Sequence, residues 1–253
     1  MPTAAILSAS SEVFNEVPVR NPGTLAFVPI VDGDLLPDYP VKLAQEGRSH
    51  PVPLIIGTNK HESALFRLMR SPLMPITPRD HVDVHPDCRR TARSASANRG
   101  ADRLRVLAMA AQSTLIEYGT DVGFRMPSVW LAEGHSGVAP VYLYRFDYST
   151  PLLKLLLVRA AHATELPYVW GNLGGSQDPA LKLGDAKAAI AVSRRVRTRW
   201  INFATRGKPT GPDGEPDWPC YEEAHRACLI IGRRDAVVHD VDAHIRATWG
   251  SKW

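Results

Sequence analysis

The chain has 253 residues, 44% of them hydrophobic and 22% charged, the balance of an ordinary globular protein able to bury a sizeable core in one large or two small domains. Its formal net charge of +4 is modest, and Lys and Arg are scattered among acids. No basic stripe interleaved with aromatics is present, so nucleic-acid binding is not expected.

Met1-Pro2-Thr3-Ala4-Ala5-Ile6-Leu7 lacks the basic segment and long apolar core of a signal peptide, which makes a cytoplasmic location the default expectation. Residues 24–37 give a short apolar run and then a turn at Asp32-Gly33-Asp34, where glycine takes positive φ at no steric cost. A short helix is expected from Pro40 to Gly47. Val52-Pro53-Leu54-Ile55-Ile56-Gly57 is apolar throughout, as strands covered on both faces are, and reads as a central parallel strand. Its prolines sit at the entry end. The strand runs out through Thr58-Asn59 to Lys60-His61-Glu62.

Residues 79–103 are rich in Arg, Ser and Ala, with almost no apolar period, and read as a loop, a disordered insert or a frame-altered stretch. Helical spacing resumes from Leu104 to Glu117, and a second helical piece over Thr120 to Ala132 is interrupted by Pro127. Gly134-His135-Ser136-Gly137 reads as a turn before a strand, Val138 to Phe146. The most apolar stretch, Leu152 to Ala161, fits both a helix and a buried loop. Lys154 and Arg159 break it, so it cannot span a bilayer. His162 to Asn172 is a connection. Asp185 is a good N-cap for a helix with an inner face of Ala189, Val192, Val196, Trp200 and Phe203, stopped by Gly207 and Pro209. Ala227–Ile231 and Ala236–Val238 form a closing hairpin, and a terminal helix comes after Asp240. Cys88, Cys220 and Cys228 are odd in number and lack C-x-x-C spacing, so reduced, packed thiols are expected. Strands interleaved with helices define an α/β sheet with covered faces.

Reactive groups of such sheets gather beyond the carboxyl ends of the strands. Two connections there hold complementary groups, Glu62 after the first strand and His162 after the second. A carboxylate bonded to an imidazole fixes its tautomer and stabilises the imidazolium that forms in acyl transfer. Taken singly, such a Glu is more often a solvated or capping residue, and such a His more often structural. Glu165 is expected to be a local hydrogen-bonding residue, and His61 to lie behind the acid or face solvent. His162 and Glu165 have H-x-x-E spacing, but no third ligand stands nearby, so neither a metal nor another cofactor is expected.

Several stretches together resemble the type B carboxylesterases, the family that includes the cholinesterases. Phe27-Val28-Pro29-Ile30-Val31-Asp32-Gly33 with Leu36-Pro37 is similar to its F-x-P-x-x-D-G…L-P stretch, and Val52 to Glu62 to its V-P-[LI]-[LM]-x-G-x-N-x-[DH]-E segment. Tyr142-Leu143-Tyr144-Arg145-Phe146 resembles the next sheet strand of the family. His162-Ala163-Thr164-Glu165-Leu166-Pro167-Tyr168-Val169-Trp170-Gly171 is similar to H-[GA]-x-E-[LI]-x-Y-[VL]-[FW]-G. Trp200 to Ala204, Gly207-Lys208-Pro209 and Trp218-Pro219 match the late helix and its exit.

The resemblance covers nearly the whole chain. It implies the C-terminal half of an α/β-hydrolase, with Glu62 as triad acid, His162 as general base and a small carboxylic ester as substrate. Where the family has Asp-Glu-Gly, this chain has His61-Glu62-Ser63, and residues 79–103 stand where the family places cap helices. The sequence contains no G-x-S-x-G, the strand-to-helix turn that presents the serine, and no Gly-Gly oxyanion loop. Gly134-His135-Ser136-Gly137 lies between a helix and a strand, the wrong order for that turn, and is expected to be surface. The resemblance thus leaves three expectations: an esterase half inactive alone, a non-catalytic truncated product or binding module, or a half complemented by a separate N-terminal chain.

Overall fold

A computed structural model describes residues 2–74, 116–174 and 184–250. The stretch 79–103, Cys88 and nearly all of the helix expected over 104–117 lie outside these residues. In chain order the elements are α1 (Thr3–Arg20), α2 (Pro40–Gln45), β1 (Leu54–Asn59), α3 (Ser63–Leu68), a π-helical turn (Asp121–Arg125), α4 (Met126–Ser136), β2 (Val141–Phe146), α5 (Pro151–Leu155), α6 (Leu166–Trp170), α7 (Ala186–Arg206), β3 (Ala227–Ile231), β4 (Ala236–His239) and α8 (Ala243–Trp249). They fall into two compact units. One comprises Met1–Ile30 and Ser63–Gly119, the other Val31–Glu62 and Thr120–Trp253.

In the first unit, α1 was not anticipated. Its apolar residues Ile6, Leu7, Val13 and Phe14 are exposed and Pro18 alone is buried, so no apolar stripe marks it in the sequence. The Gly23 N–H donates to the Pro72 carbonyl (2.9 Å), tying the residues after α1 to those after α3.

The second unit is built on a sheet of order β1-β2-β3-β4. β1 pairs with β2, and β2 with β3, in parallel, and β4 returns antiparallel to β3 as the expected hairpin. Side chains alternate along β2 as the pleat requires. Tyr142 and Tyr144 meet Phe203, Trp200 and Trp218 on one face, with ring centroids 5.2–6.2 Å apart. Val141 and Leu143 join Ala132, Tyr221 and Cys228 in a core cluster on the other. Helices therefore cover both faces, and the α/β expectation holds. β1 is parallel as expected but lies at the edge of the sheet formed by the described residues, and Leu54 to Gly57 are only half-buried. An unbroken apolar run reports what covers the faces of a strand, not whether it has a neighbour on each side.

Two glycines are explained by close approach. A Cβ on Gly57 would stand 2.3 Å from the Tyr144 carbonyl oxygen, and one on Gly134 would stand 2.6 Å from the backbone of Ala44. Gly134 is thus not in a turn. α4 continues to Ser136 so that α2 can lie against it, and Pro127, its second residue, directly follows the π-helical turn Asp121–Arg125, so the helical path runs on through the proline and is not interrupted there. His135 is buried, with Nδ1 on the Ser49 hydroxyl (2.7 Å) and Nε2 on the Val52 carbonyl (2.8 Å), so its role is structural. Asp185 precedes α7 as expected but makes no capping bond. Its carboxylate pairs with Arg233 instead. Cys220 and Cys228 are free thiols, and burial pushes the Cys228 thiol up to about 12.

The inner face of α7 includes Ala189, Val192 and Val196, and also Arg195 and Arg199. Arg199 is fully buried, donating to the carbonyls of Pro209 (3.2 Å) and Pro216 (2.8 Å). Asp235, in the β3–β4 turn, is its counterion at 3.7 Å and accepts from Arg195 at 3.0 Å. Asp235→Ala leaves Arg199 charged, dry and uncompensated, and is expected to cost about 3–5 kcal/mol of stability. Arg199→Met, which removes the charge and leaves Asp235 with Arg195, is expected to cost less. Urea midpoints at unchanged slope test the order of the two.

Candidate active site

The loops beyond the carboxyl ends of β1 and β2 meet, and they carry the two residues singled out from the sequence. β1 ends at Asn59, and Glu62 comes after a turn. Beyond β2, the chain passes through α5 and an irregular segment to His162. The His162 N–H donates to the Glu62 carbonyl (3.2 Å), and the His61 N–H to that of Ala160 (2.9 Å), so the two loops are sewn together by main chain. In the second loop Leu157, Arg159 and Ala163 all have positive φ (57–64°), a region costly for residues with a Cβ. Strain of this kind persists where surrounding contacts over-determine the backbone.

Across that seam His162 Nδ1–H donates to Glu62 Oε2 at 2.8 Å. The Glu62 side chain is 5% exposed and that of His162 46%. The carboxylate is sealed from water, and the imidazole is partly exposed. Glu62 spends its other oxygen, Oε1, on the Asn59 N–H at 2.6 Å. The Asn59 side-chain amide donates in turn to Glu165, so Glu165 does hydrogen-bond, but to a residue 106 positions earlier and not locally as expected. Phe124, on the π-helical turn, sets its ring 5.0 Å from the imidazole, tilted by 44°. Behind the site, Arg145 forks onto Asp147 (2.8 and 2.9 Å) and reaches Asp242 (2.6 Å). Lys60 pairs with the same Asp147 at 3.4 Å, locking the exits of β1 and β2 together.

The bond from Glu62, opposed by burial, holds His162 above the ordinary histidine range. Burial pushes Glu165 up against the lowering effect of its Asn59 bond. Burial, reinforced by Arg159, pushes His61 down to about 4, so it is neutral at pH 7. His61 is half-buried and does not simply face solvent, and its Nδ1 makes no hydrogen bond among the described residues. Because folding raises the pKa of His162, the stability it contributes is complete below the unfolded-state value and is lost as pH rises through the folded one. Proton NMR titration is expected to find the His162 midpoint above the 6.5 of an unperturbed histidine, and Glu62→Gln to bring it down.

Asn59 and Phe124 were missed in the sequence. Asn59 occupies a fixed place in the V-P…G-x-N segment, which was the available signal, whereas Phe124 lies in no motif. Ser136 closes α4 with its hydroxyl on the Glu133 carbonyl (2.8 Å), so the nearest imitation of a nucleophile turn is a helix end. Among the described residues no three His, Cys, Asp or Glu side chains gather as metal ligands, and no helix is long and apolar enough to cross a membrane.

A mostly parallel sheet with both faces covered, and a carboxylate and a histidine joined at the carboxyl ends of its first two strands, is the C-terminal part of an α/β-hydrolase fold. The chain belongs to the Carboxylesterase family, whose model matches residues 2–249. It is 31% identical over 222 residues to the para-nitrobenzyl esterase of Bacillus subtilis, covering 88% of this chain and 42% of that one. It is 27% identical to the cocaine esterase of Homo sapiens, over 87% of this chain and 40% of that one. Among solved structures, a thermophilic pNB esterase superposes with a TM-score of 0.71 at 25% identity, over 99% of this chain and 49% of that one. The Geobacillus stearothermophilus carboxylesterase superposes with a TM-score of 0.70 at 26% identity, again over 99% and 49%. The chain thus spans less than half the length of each of these relatives.

Proposed function

We propose that this chain supplies the acid and base of a serine-type carboxylic ester hydrolase, Glu62 being the acid and His162 the base. The observation that carries the proposal is the 2.8 Å bond from His162 Nδ1 to a carboxylate sealed from water. With Nδ1 held, the lone pair of the neutral ring sits on Nε2. There it takes the proton of a serine hydroxyl attacking an ester carbonyl and returns it to the departing alcohol. Glu62 orients the ring and steadies the imidazolium between the two transfers. The serine and its oxyanion donors come from outside these 253 residues, because the sequence holds no G-x-S-x-G.

A second reading is favoured by the edge position of β1 among the described strands together with that missing motif: a truncated, non-catalytic product or binding module. Reconstitution separates the two. The chain is combined, by fusion or by mixing, with the part of a family esterase that carries G-x-S-x-G, and ester turnover is measured. Turnover that appears and depends on His162 supports the esterase reading and a complementing N-terminal chain. Turnover indifferent to His162→Ala overturns the assignment of the base.

A further inference from the structure

Asn59 is 2% exposed and ends β1, where it pairs with Phe146 of β2. It has two donors, aimed at different carboxylates. Its main-chain N–H holds Glu62 Oε1 at 2.6 Å, and its side-chain Nδ2 holds Glu165, 106 residues further along the chain. Its Oδ1 is buried and makes no hydrogen bond among the described residues. A buried amide with an unmet acceptor costs stability that an apolar side chain of the same size would avoid. What the amide supplies here is its donor.

We infer that Asn59 is a positioning residue for the acid–base pair: anchored in the sheet, it holds both carboxylates that act on His162. The inference rests on reading Glu62 and His162 as acid and base. With Oε1 occupied by the Asn59 N–H, Glu62 turns Oε2 to the His162 Nδ1–H, which fixes the ring. Glu165 faces Asn59, Glu62 and His162, and burial drives it toward the neutral acid while the Asn59 donor opposes that drive. Both carboxylates favour the imidazolium of His162. Tyr144 also faces both carboxylates, but burial pushes its phenol up, so it brings no charge. Phe124 closes the aromatic side of the ring. Removing the Asn59 amide therefore loosens one carboxylate and returns it to burial's pull, and both effects weaken the protonated ring.

The test is NMR on the full 253-residue chain, tracking the titration midpoint of His162 and the exchange rate of its Nδ1 proton. Asn59→Ala is expected to lower the midpoint by about half a pH unit or more and to speed exchange. A midpoint and exchange rate equal to those of the unsubstituted chain would overturn the inference. Should Asn59→Ala fail to fold, Glu165→Gln and Glu165→Ala carry the test from the other end of the bond. Both remove the same charge, but only the glutamine still accepts from Asn59. Faster Nδ1 exchange in Glu165→Ala than in Glu165→Gln supports the positioning role, and equal exchange overturns it. Glu62→Gln separates the acid–base reading from the role of Asn59. If it leaves the midpoint in place, the acid–base reading itself fails. If it moves the midpoint while the Asn59 and Glu165 variants do not, only the role of Asn59 fails.

Discussion

Purified by itself, the 253-residue chain is expected to hydrolyse an activated aryl ester no faster than its own His162→Ala variant, and to take up no organophosphonate at a serine. A general base without a nucleophile has nothing to deprotonate, and removal of the nucleophile from a triad costs about 10^6 in kcat. The described serines do not replace it. Ser136 and Ser193 donate to the carbonyls of Glu133 and Tyr168, both at 2.8 Å, and Ser63 and Ser149 are buried. Ser63 does follow a strand and open a helix, but it is buried, and none of these serines stands in a G-x-S-x-G stretch. Stoichiometric labelling of one serine, with parallel loss of ester turnover, would show that a nucleophile exists within these residues.

Glu62 and His162 were legible as a candidate pair, and they do meet in the fold, because two constraints coincide in short stretches of sequence. An all-apolar strand must be covered, and the loop just beyond its carboxyl end is where this fold class builds its site, so Glu62 and His162 stood out by position as well as by resemblance. Their partners were harder to see. Asn59 reads as the polar end of a strand until its amide is found on Glu165, a contact only the folded chain creates. Phe124 had no signal, because an aromatic on a helical turn is core as often as site. Elsewhere the failures have separate causes. Periodicity registers apolar faces, so α1, without one, went unseen, and the inner face read for α7 left out Arg195 and Arg199, which are buried in it. Gly134 was read as a turn from its residue type, although it serves the approach of α2. The edge position of β1 depends on which strands are present to pair with it, and no local pattern carries that.

In the reconstituted enzyme, Glu62→Gln is expected to lower kcat by about 10^4 and to leave KM nearly unchanged. The amide keeps the shape of the carboxylate but loses the charge that stabilises the imidazolium. Nδ1–H of His162 donates to Glu62 Oε2 at 2.8 Å while Oε1 accepts from Asn59, so a glutamine that keeps the Asn59 bond through its oxygen presents its NH2 to Nδ1. That selects the tautomer protonated at Nε2, which cannot accept the proton of serine. Glu62→Asp keeps the charge but is one methylene shorter, so it cannot reach the Asn59 N–H and the imidazole together. Its loss should fall between those of the parent and Glu62→Gln. The pH–rate profile adds a signed check. Glu62 raises the pKa of His162, so its removal lets the neutral ring persist to lower pH, and the acid limb of kcat/KM moves down in pH as the plateau falls. An acid limb that stays in place while kcat collapses would mean that the titrating base is not the imidazole that Glu62 holds.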